Sequence, residues 1–193
     1  NASFIVAAAL LMPNSEVIIK NTLDNYTRNG FLEALVSMGA KIKKINKRIE
    51  YNENICDLKV SYTKYLTGII IKKEQLIRMI DEVPIFAVVA SQAQGISEIT
   101  GGEELRLKES DRLATICKNF KLLGVDIKER KNGFKIIGKK INFNYNLDYR
   151  RDHRIEMAFN ILSLIIKGEM PEDIKYCNIS FPEFQKLINS LIS

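Results

Sequence analysis

Along the chain, stretches with the 3.6-residue apolar period of a helix alternate with short stretches that have the two-residue period of a strand. The first series predicts a helix, a strand, a second helix and a second strand, at residues 7–12, 15–19, 30–38 and 40–45. Pro13 and Asn14 predict the first turn. Gly39 predicts the end of the second helix, because glycine is favoured just after a helix. The series describes one α/β unit with two helices.

The same order returns twice downstream. A second copy predicts helices at 85–94 and 110–123 and strands at 97–100 and 125–129, with Gly95 and Gly124 at the turns. A third, shorter copy predicts a helix at 153–167, a strand at 174–177 and a helix at 182–192, where Pro182 suits the first helical turn. The repetition predicts three α/β units, over about residues 1–70, 71–145 and 146–193.

The first helix of each unit is apolar on nearly every side, at residues 7–12, 85–94 and 155–166. A helix of that kind is normally buried, and one such unit cannot cover its own apolar faces. We therefore predict an α/β fold of about three repeated units, in which buried central helices are wrapped by small mixed sheets. A chain of 193 residues is long enough to bury a core of this size.

A net charge of +6 favours anionic partners, without choosing among nucleic acid, a membrane surface and a phosphorylated metabolite. The densest basic run, KIKKINKR at residues 41–48, alternates Ile with Lys as a half-exposed strand does. It lacks the interleaved aromatic residues with which proteins bind single-stranded nucleic acid. We therefore predict a solvent-facing strand here and no nucleic-acid partner.

The apolar run at residues 1–12 is too short to span a bilayer and lacks the basic segment of a signal peptide. The chain has no initiating Met and begins inside a predicted helix, so we expect it to be part of a longer protein. Cys56, Cys117 and Cys177 form an odd set without a Cys-x-x-Cys pair, which disfavours a zinc site or a disulfide framework. We expect three reduced, buried thiols in a cytoplasmic protein without a membrane anchor.

The first candidate site is a charged stretch that enters a predicted helix. Four charged residues fall within five positions: Lys108, Glu109, Asp111 and Arg112. Two of them, Glu109 and Arg112, share a helix face because they are three residues apart. Cations at a helix N-terminus oppose the helix dipole by about 0.3–1 kcal/mol, and a bound anion would reverse that cost. The alternative is a salt-bridged helix start without a ligand, capped by Ser110.

The second candidate site precedes the third central helix. We predict that Asp152 caps this helix, and His153, the only histidine of the chain, follows it. Three arginines surround the helix start: Arg150, Arg151 and Arg154. A planar guanidinium group suits a carboxylate or a phosphate, which favours an anion site. The alternative is a solvated turn, and a lone His more often packs or hydrogen-bonds than catalyses.

The third candidate site is the acidic pair Asp81 and Glu82, just before Pro84 and the second central helix. Acidic residues are also ordinary at a helix start. Because the three stretches occupy corresponding ends of repeated units, we expect them to share one face. A carboxylate held there near several cations can donate or accept a proton. The sequence has no phosphate-binding glycine loop, and one His without a Cys pair disfavours a metal site.

In these stretches the sequence resembles the EPSP synthase (3-phosphoshikimate 1-carboxyvinyltransferase) family of enolpyruvyl transferases. The family's Lys-Glu-Ser-Asp-Arg motif stands intact at 108–112, preceded by Glu-Glu-Leu-Arg, and its Asp-His-Arg motif stands at 152–154. Further matches are Ile-Asp-Glu-Val-Pro at 80–84 and Ser-Phe-Pro-Glu-Phe at 180–184. The segment at 25–31 also matches, with Tyr26 in place of the family's Pro. The matches run along the whole chain in the family's order.

The family fold is two similar globules of three α/β units each, of the inside-out α/β barrel type, which close over the substrates. The resemblance implies that this chain is the C-terminal globule, and that the N-terminal globule, with much of the shikimate 3-phosphate site, is absent. It implies transfer of the enolpyruvyl group from phosphoenolpyruvate to the 5-hydroxyl of shikimate 3-phosphate, with release of phosphate. This reaction belongs to the shikimate pathway toward chorismate and aromatic amino acids. No cofactor or metal is implied, and the full-length enzyme is expected to be a cytoplasmic monomer.

Carried over position by position, the resemblance implies two groups of functional residues. The proton-transfer group is Asp81, as the base toward the hydroxyl, and Glu109, as acid and base at the methylene carbon, supported by Lys108. The group that binds phosphoenolpyruvate is Arg112, Arg154 and, as a weaker candidate, His153.

Two alternative functions remain open. The related UDP-N-acetylglucosamine enolpyruvyl transferase has the same architecture and donor, but the intact motif at 108–112 speaks against it. A non-catalytic anion-binding module would bind unrelated oligonucleotides with a steep salt dependence. For the transferase, we expect negligible turnover from this chain alone, because the opposing globule is missing. We also expect Arg112→Ala and Arg154→Ala to weaken phosphoenolpyruvate use far more than folding, because both are predicted to lie in polar loops.

Overall fold

Short helices and strands alternate in a computed structural model, which describes residues 2–139, 141, 146–171 and 174–192. The helices are α1 (Ala2–Leu11), α2 (Gly30–Ser37), α3 (Lys73–Ile77), α4 (Val83–Gln92), α5 (Arg112–Leu122), α6 (His153–Lys167) and α7 (Phe184–Ile192). The strands are β1 (Glu16–Leu23), β2 (Lys41–Glu50), β3 (Glu53–Ser61), β4 (Ile70–Ile71), β5 (Ile96–Ile99), β6 (Asp126–Arg130) and β7 (Gly133–Ile137). Four 3-10 turns lie at Tyr26–Arg28, Ile80–Glu82, Glu103–Leu107 and Cys177–Ile179.

Helices α1, α4 and α6 pack against one another in the middle of the molecule. Residues 83–91 of α4 and residues 155–164 of α6 are buried without interruption, and most of α1 is buried too. Helix α6 has the predicted bounds, since Asp152 caps its start and Gly168, with φ of 80°, ends it. The prediction of buried central helices is confirmed, and removal of their apolar surface from water is the main force that stabilises the fold.

Strands β1, β3 and β2 form an antiparallel sheet with β3 in the middle. Each outer strand changes register next to an Asn with positive φ, Asn21 at 57° and Asn46 at 49°. The Asp57 carboxylate of β3 accepts the Asn21 backbone N–H and the Asn46 side-chain amide, both at 2.9 Å. Strand β2 carries the basic run and is half-exposed, as predicted. The middle strand β3 was not predicted.

The second sheet has the order β4, β5, β7, β6. Strand β4 is parallel to β5 and the other pairs are antiparallel, so the sheet is mixed, as predicted. Gly133 allows β7 to approach β5 closely, because a Cβ atom there would lie 1.9 Å from the carbonyl oxygen of Ile99. Both sheets pack their apolar faces toward the central helices, and together they confirm the α/β class with small sheets.

In the third unit the predicted strand is wrong, and the predicted last helix is present with its start displaced by two residues. Residues 174–177 are not a strand, because their backbone N–H groups are taken by a side chain. The buried Glu156 carboxylate accepts the N–H groups of Lys175, Tyr176 and Cys177 at 2.9, 2.6 and 2.7 Å. The last helix begins at Phe184, after a turn that includes Pro182. The unit boundary predicted near residue 145 lies outside the described residues.

Cys56, Cys117 and Cys177 are free and buried, as expected. Burial raises the pKa of the Cys117 thiol to about 12, so this group stays protonated at neutral pH. Among the helices of the described ranges, none has the length and apolar character that crossing a membrane requires.

Candidate functional site

The three stretches singled out in the sequence meet where α4, α5 and α6 begin. Helices α4 and α6 pack side by side, and α5 contacts α4. Asp81 lies in the 3-10 turn before α4, Arg112 is the first residue of α5, and Arg154 is the second residue of α6. Asp81 forms ion pairs with both arginines, so the expected convergence of these stretches is present.

Arg112 is the centre of this group, which we call the ion-pair cluster: Asp81, Glu82, Lys108, Glu109, Arg112, Asp152 and Arg154. The Arg112 side chain is fully buried. Its Nε donates to Asp152 at 2.8 Å, one terminal nitrogen donates to Glu109 at 2.5 Å, and the other to Asp81 at 3.3 Å. The planar guanidinium group thus holds three carboxylates from three different elements in fixed directions.

The buried carboxylate of Asp152 connects the starts of α5 and α6. One oxygen accepts the backbone N–H groups of Arg154 at 3.0 Å and Ile155 at 3.3 Å, which is the predicted cap. The other oxygen accepts the Arg112 side chain and, at 3.1 Å, the Ser110 hydroxyl. Sequence analysis identified only the capping role, since nothing local to residue 152 shows that it also binds α5.

Ser110 does not cap α5, which is a correction. The helix begins at Arg112, so Asp111 occupies the capping position, and its carboxylate accepts the Ala114 backbone N–H at 3.0 Å. Ser110 therefore lies outside the helix, and its hydroxyl is free to reach Asp152.

Asp81 is surrounded by cations. Lys108 Nζ lies 3.4 Å and an Arg154 terminal nitrogen 3.6 Å from its carboxylate oxygens. Burial alone would raise the pKa of Asp81, but the charges of Arg154, Lys108 and Arg112 together outweigh burial and lower it. Asp81 is therefore ionised at neutral pH and can accept a proton.

The neighbouring Glu82 behaves in the opposite way. Burial raises its pKa, with a further rise from the negative charge of Asp81, although Arg154 lies only 3.8 Å away and opposes this. The pKa values of the two acids that precede α4 are therefore shifted in opposite directions. Such divergence between adjacent carboxyl groups is common at functional sites.

The other predicted residues of the second stretch do not join the cluster. His153 is half-buried and makes no hydrogen bond or ion pair to the residues described. Arg150 pairs with Asp148 at 2.8 Å, and Arg151 is exposed. Of the three arginines expected to surround this helix start, only Arg154 reaches Asp81.

The expectation that Arg112 lies in a polar loop is wrong, because its side chain has no exposed surface. Arg154 also lies in a helix and not in a loop, but 22% of its side chain is exposed, and Lys108 is 31% exposed. Solvent, or a ligand, therefore reaches Lys108 and Arg154 directly. Arg112 has no exposed surface, and of its three carboxylate partners Glu109, at 47% exposed, is the most accessible.

Two cavities lie near the cluster, one on each side of Arg150. One, of about 440 Å³, is lined by Tyr149, Glu156 and neighbouring residues, and the other, of about 410 Å³, by Glu109, Thr115 and neighbouring residues. Asp81, Lys108 and Arg154 line neither of them. Two acids of the cluster do line cavities: Glu109 lines the second of these, and Glu82 lines a third of about 140 Å³.

Comparison with known proteins connects this chain to one family. The model of the EPSP synthase (3-phosphoshikimate 1-carboxyvinyltransferase) family matches residues 1–188. A 3-phosphoshikimate 1-carboxyvinyltransferase of Persephonella marina is 43% identical over 100% of this chain and 45% of its own length. The protein of the same name from Petrotoga mobilis is 44% identical over 100% of this chain and 45% of its own length.

Solved structures agree. An EPSP synthase from Acinetobacter baumannii superposes with a TM-score of 0.88 at 30% identity, over 98% of this chain and 44% of that one. The enolpyruvyl transferase NikO from Streptomyces tendae, at 12% identity and a TM-score of 0.66, shares the fold. The chain spans less than half the length of these relatives. The sequence match over nearly every residue and the shared fold together show that this chain belongs to the EPSP synthase family.

Proposed function

We propose that this chain is the C-terminal part of a 3-phosphoshikimate 1-carboxyvinyltransferase and forms the phosphoenolpyruvate-facing side of its active site. The observation that carries the proposal is the ion-pair cluster. Acids and arginines from three separate stretches meet in this one cluster, and each belongs to a motif of the family. The remaining part of the enzyme, which corresponds to the other half of the relatives, supplies most contacts to shikimate 3-phosphate.

In the proposed reaction, the 5-hydroxyl of shikimate 3-phosphate adds to phosphoenolpyruvate while the methylene carbon is protonated. Phosphate and a proton then leave, which restores the double bond. Asp81 accepts the hydroxyl proton, since its low pKa keeps it ionised. Glu109, which accepts from Arg112 at 2.5 Å, takes up a proton when it is freed from this arginine, donates it to the methylene carbon and later removes one, with Lys108 beside it. No cofactor or metal takes part.

The cations bind the donor substrate by giving up their contacts with the carboxylates of the cluster. Lys108 and Arg154 are accessible and contact Asp81 at 3.4 and 3.6 Å, which are loose ion pairs that a phosphate can compete with. Once a ligand displaces Glu109 from Arg112, one terminal nitrogen of the buried guanidinium group can donate to a carboxylate or a phosphate. Displacement also releases the Glu109 carboxyl for proton transfer. Binding of the anion and preparation of the acid are then one event.

Further parts of the proposal follow from the family. The complete enzyme acts in the cytoplasm as a monomer, within the shikimate pathway, and this chain alone has negligible turnover. The relatives named 3-phosphoshikimate 1-carboxyvinyltransferase favour shikimate 3-phosphate over UDP-N-acetylglucosamine as the acceptor. Nothing in the comparisons favours a nucleic-acid-binding module.

The experiment is calorimetric titration of the chain with phosphoenolpyruvate, with Arg154→Ala as the test variant and Arg150→Ala as the control. Arg150 lies in the turn just before the same helix but pairs with Asp148, outside the cluster. Arg154→Ala should weaken affinity by at least about tenfold, because a hydrogen bond to a charged group contributes about 1.5–3 kcal/mol. Arg150→Ala should bind as the unaltered chain does. Absence of binding to the unaltered chain, or equal loss in both variants, would refute the proposal.

The acceptor is tested separately. The chain is joined to the N-terminal half of the Persephonella marina relative, and phosphate release is measured with shikimate 3-phosphate and with UDP-N-acetylglucosamine. Release with the first acceptor alone is expected. Release with the second alone would replace the proposed acceptor.

A further inference from the structure

Arg106, which neither the cluster nor the proposed chemistry includes, attaches the segment at 103–111 to the β6–β7 hairpin. Its Nε donates to the carbonyl oxygen of Lys131 at 2.9 Å, and one terminal nitrogen donates to that of Arg130 at 2.7 Å. The same terminal nitrogen pairs with the Glu129 carboxylate at 2.9 Å. One guanidinium group therefore holds three consecutive residues of the hairpin.

The other terminal nitrogen of Arg106 points back to its own segment. It donates to both carboxylate oxygens of Asp111, at 3.1 and 2.8 Å. Asp111 caps α5, the helix whose first residue is Arg112. The hairpin, the segment and the start of α5 are thus connected through one side chain.

Apart from Arg106, the segment is attached near its end, where Glu109 binds Arg112 and Ser110 binds Asp152, and at its start. At its start, the Gly102 backbone N–H donates to the carbonyl oxygen of Asn132 at 2.8 Å, and Leu105 is buried in the core. Beyond Arg106, Leu107 is 86% exposed. Lys108 then reaches Asp81 at 3.4 Å. Lys108 therefore lies between two residues that are held in place, Arg106 two positions before it and Glu109 directly after it, and of these Arg106 is the one bound to the hairpin.

We propose that Arg106 is a positioning residue, which fastens the 103–111 segment to the β6–β7 hairpin and so holds Lys108 against Asp81. A lysine could make one of these contacts but not all of them, because an ammonium group lacks the planar fork of donors. The importance of Arg106 for catalysis rests on the proposed function, whereas its geometric role can be tested without substrate.

The test uses the position of Lys108 as its readout. The Lys108 charge lowers the pKa of Asp81, so a Lys108 that moves away lets this pKa rise. The carboxyl pKa of Asp81 is measured by NMR titration in Arg106→Lys, with Lys108→Met as the reference for complete loss. Because Arg106→Lys keeps the positive charge, a change in the pKa reports on the segment and not on the lost charge of Arg106.

Arg130→Ala is the matched control. It removes an arginine of the same hairpin that pairs with Glu98 and leaves the backbone carbonyl that Arg106 uses. We expect Arg106→Lys to raise the Asp81 pKa by an amount comparable to Lys108→Met, and Arg130→Ala to leave it unchanged. An Asp81 pKa that does not move in Arg106→Lys, or that moves as much in Arg130→Ala, would overturn the proposal.

A second variant covers the case in which Arg106→Lys does not fold. Glu129→Gln removes one hairpin partner and leaves Arg106 in place, and it should raise the Asp81 pKa by a smaller amount in the same direction. An unchanged pKa here would also count against the proposal. Titration of the folded variants with phosphoenolpyruvate separates the two levels. If the unaltered chain binds none, the proposed function fails, while the pKa comparison still decides the role of Arg106.

Discussion

Arg112→Ala should mainly lower stability and Arg154→Ala should mainly weaken binding of phosphoenolpyruvate, although both remove an arginine that contacts Asp81. Arg112 is fully buried and donates to three carboxylates, of which Asp152 is itself fully buried at 2.8 Å. Arg154 is partly exposed, and its two ion pairs are longer, at 3.6 and 3.8 Å. The difference in burial therefore decides the difference in stability.

The magnitude follows from what each variant leaves behind. In Arg112→Ala, Asp152 keeps the Ser110 hydroxyl and two backbone N–H groups but loses its charged partner inside the protein. Removal of one member of a buried ion pair costs about 3–5 kcal/mol. For a chain of this length that lowers Tm by roughly 6–20 °C. Arg154→Ala removes partly exposed pairs, which contribute about 0–1 kcal/mol, and a hydrogen bond at 3.2 Å to the Asp81 backbone carbonyl, which contributes about 0.5–1.5 kcal/mol.

The assay is urea unfolding followed by circular dichroism, since the chain has no Trp to report by fluorescence. Arg112→Ala should shift the midpoint far below that of Arg154→Ala at equal slope. In calorimetry at a temperature where both are folded, Arg154→Ala should nevertheless lose affinity for phosphoenolpyruvate. Equal free energies of unfolding for the two variants would refute the assignment of Arg112 as the buried centre of the cluster.

Three further predictions concern carboxyl groups. Because the Asp81 pKa is lowered in the folded chain, the advantage of the unaltered chain over Asp81→Asn should be present above about pH 4 and disappear at lower pH. The Glu82 pKa is raised, so its effect on stability is opposite. Glu82→Gln should become more stable relative to the unaltered chain as pH rises above about 4. Urea midpoints measured from about pH 2 to 8 that run in parallel for both variants would contradict this. Glu156→Ala should lower the free energy of unfolding by at least about 3 kcal/mol, because several buried N–H groups lose their acceptor at roughly 1–3 kcal/mol each. Amide hydrogen exchange at residues 175–177 should accelerate in this variant more than exchange in α1, and unchanged protection there would show that Glu156 does not hold the segment.

Much of the fold could be predicted where local signals agree. Helix α6 has a capping Asp before it, a continuous apolar stretch within it and Gly168 after it, and both of its predicted ends are correct. Strand β3 lacks such agreement. Its buried residues Cys56, Asp57 and Leu58 are consecutive and include an acid, so neither the two-residue period nor polarity marks it as a strand. Its polar centre is explained only by the two Asn residues that it meets on the outer strands.

The sequence predicts which residues form the candidate site, but not which of them contact one another. Motif matches identified Asp81, Glu109, Arg112 and Arg154, and the structure brings all of them together. That Arg112 is buried could not be foreseen, because its burial depends on Asp152, 40 residues away in the chain. The contact of Glu156 with residues 175–177 could not be foreseen for the same reason. Because of this contact, residues 174–177 do not form the predicted strand. Contacts of a side chain with distant backbone leave no periodic trace in a sequence.

The two bulges held by Asp57 have a consequence for how the molecule behaves at high concentration. A straight outer strand offers a row of free backbone groups that another copy can extend, which is how many β-proteins aggregate. Here the left-handed Asn21 and Asn46 interrupt both borders of the three-stranded sheet at the level of Asp57. Lysines along β2 add repulsion between copies at the same border. By holding both bulges, the buried Asp57 of the middle strand therefore disfavours the pairing of a further strand at either edge of this sheet.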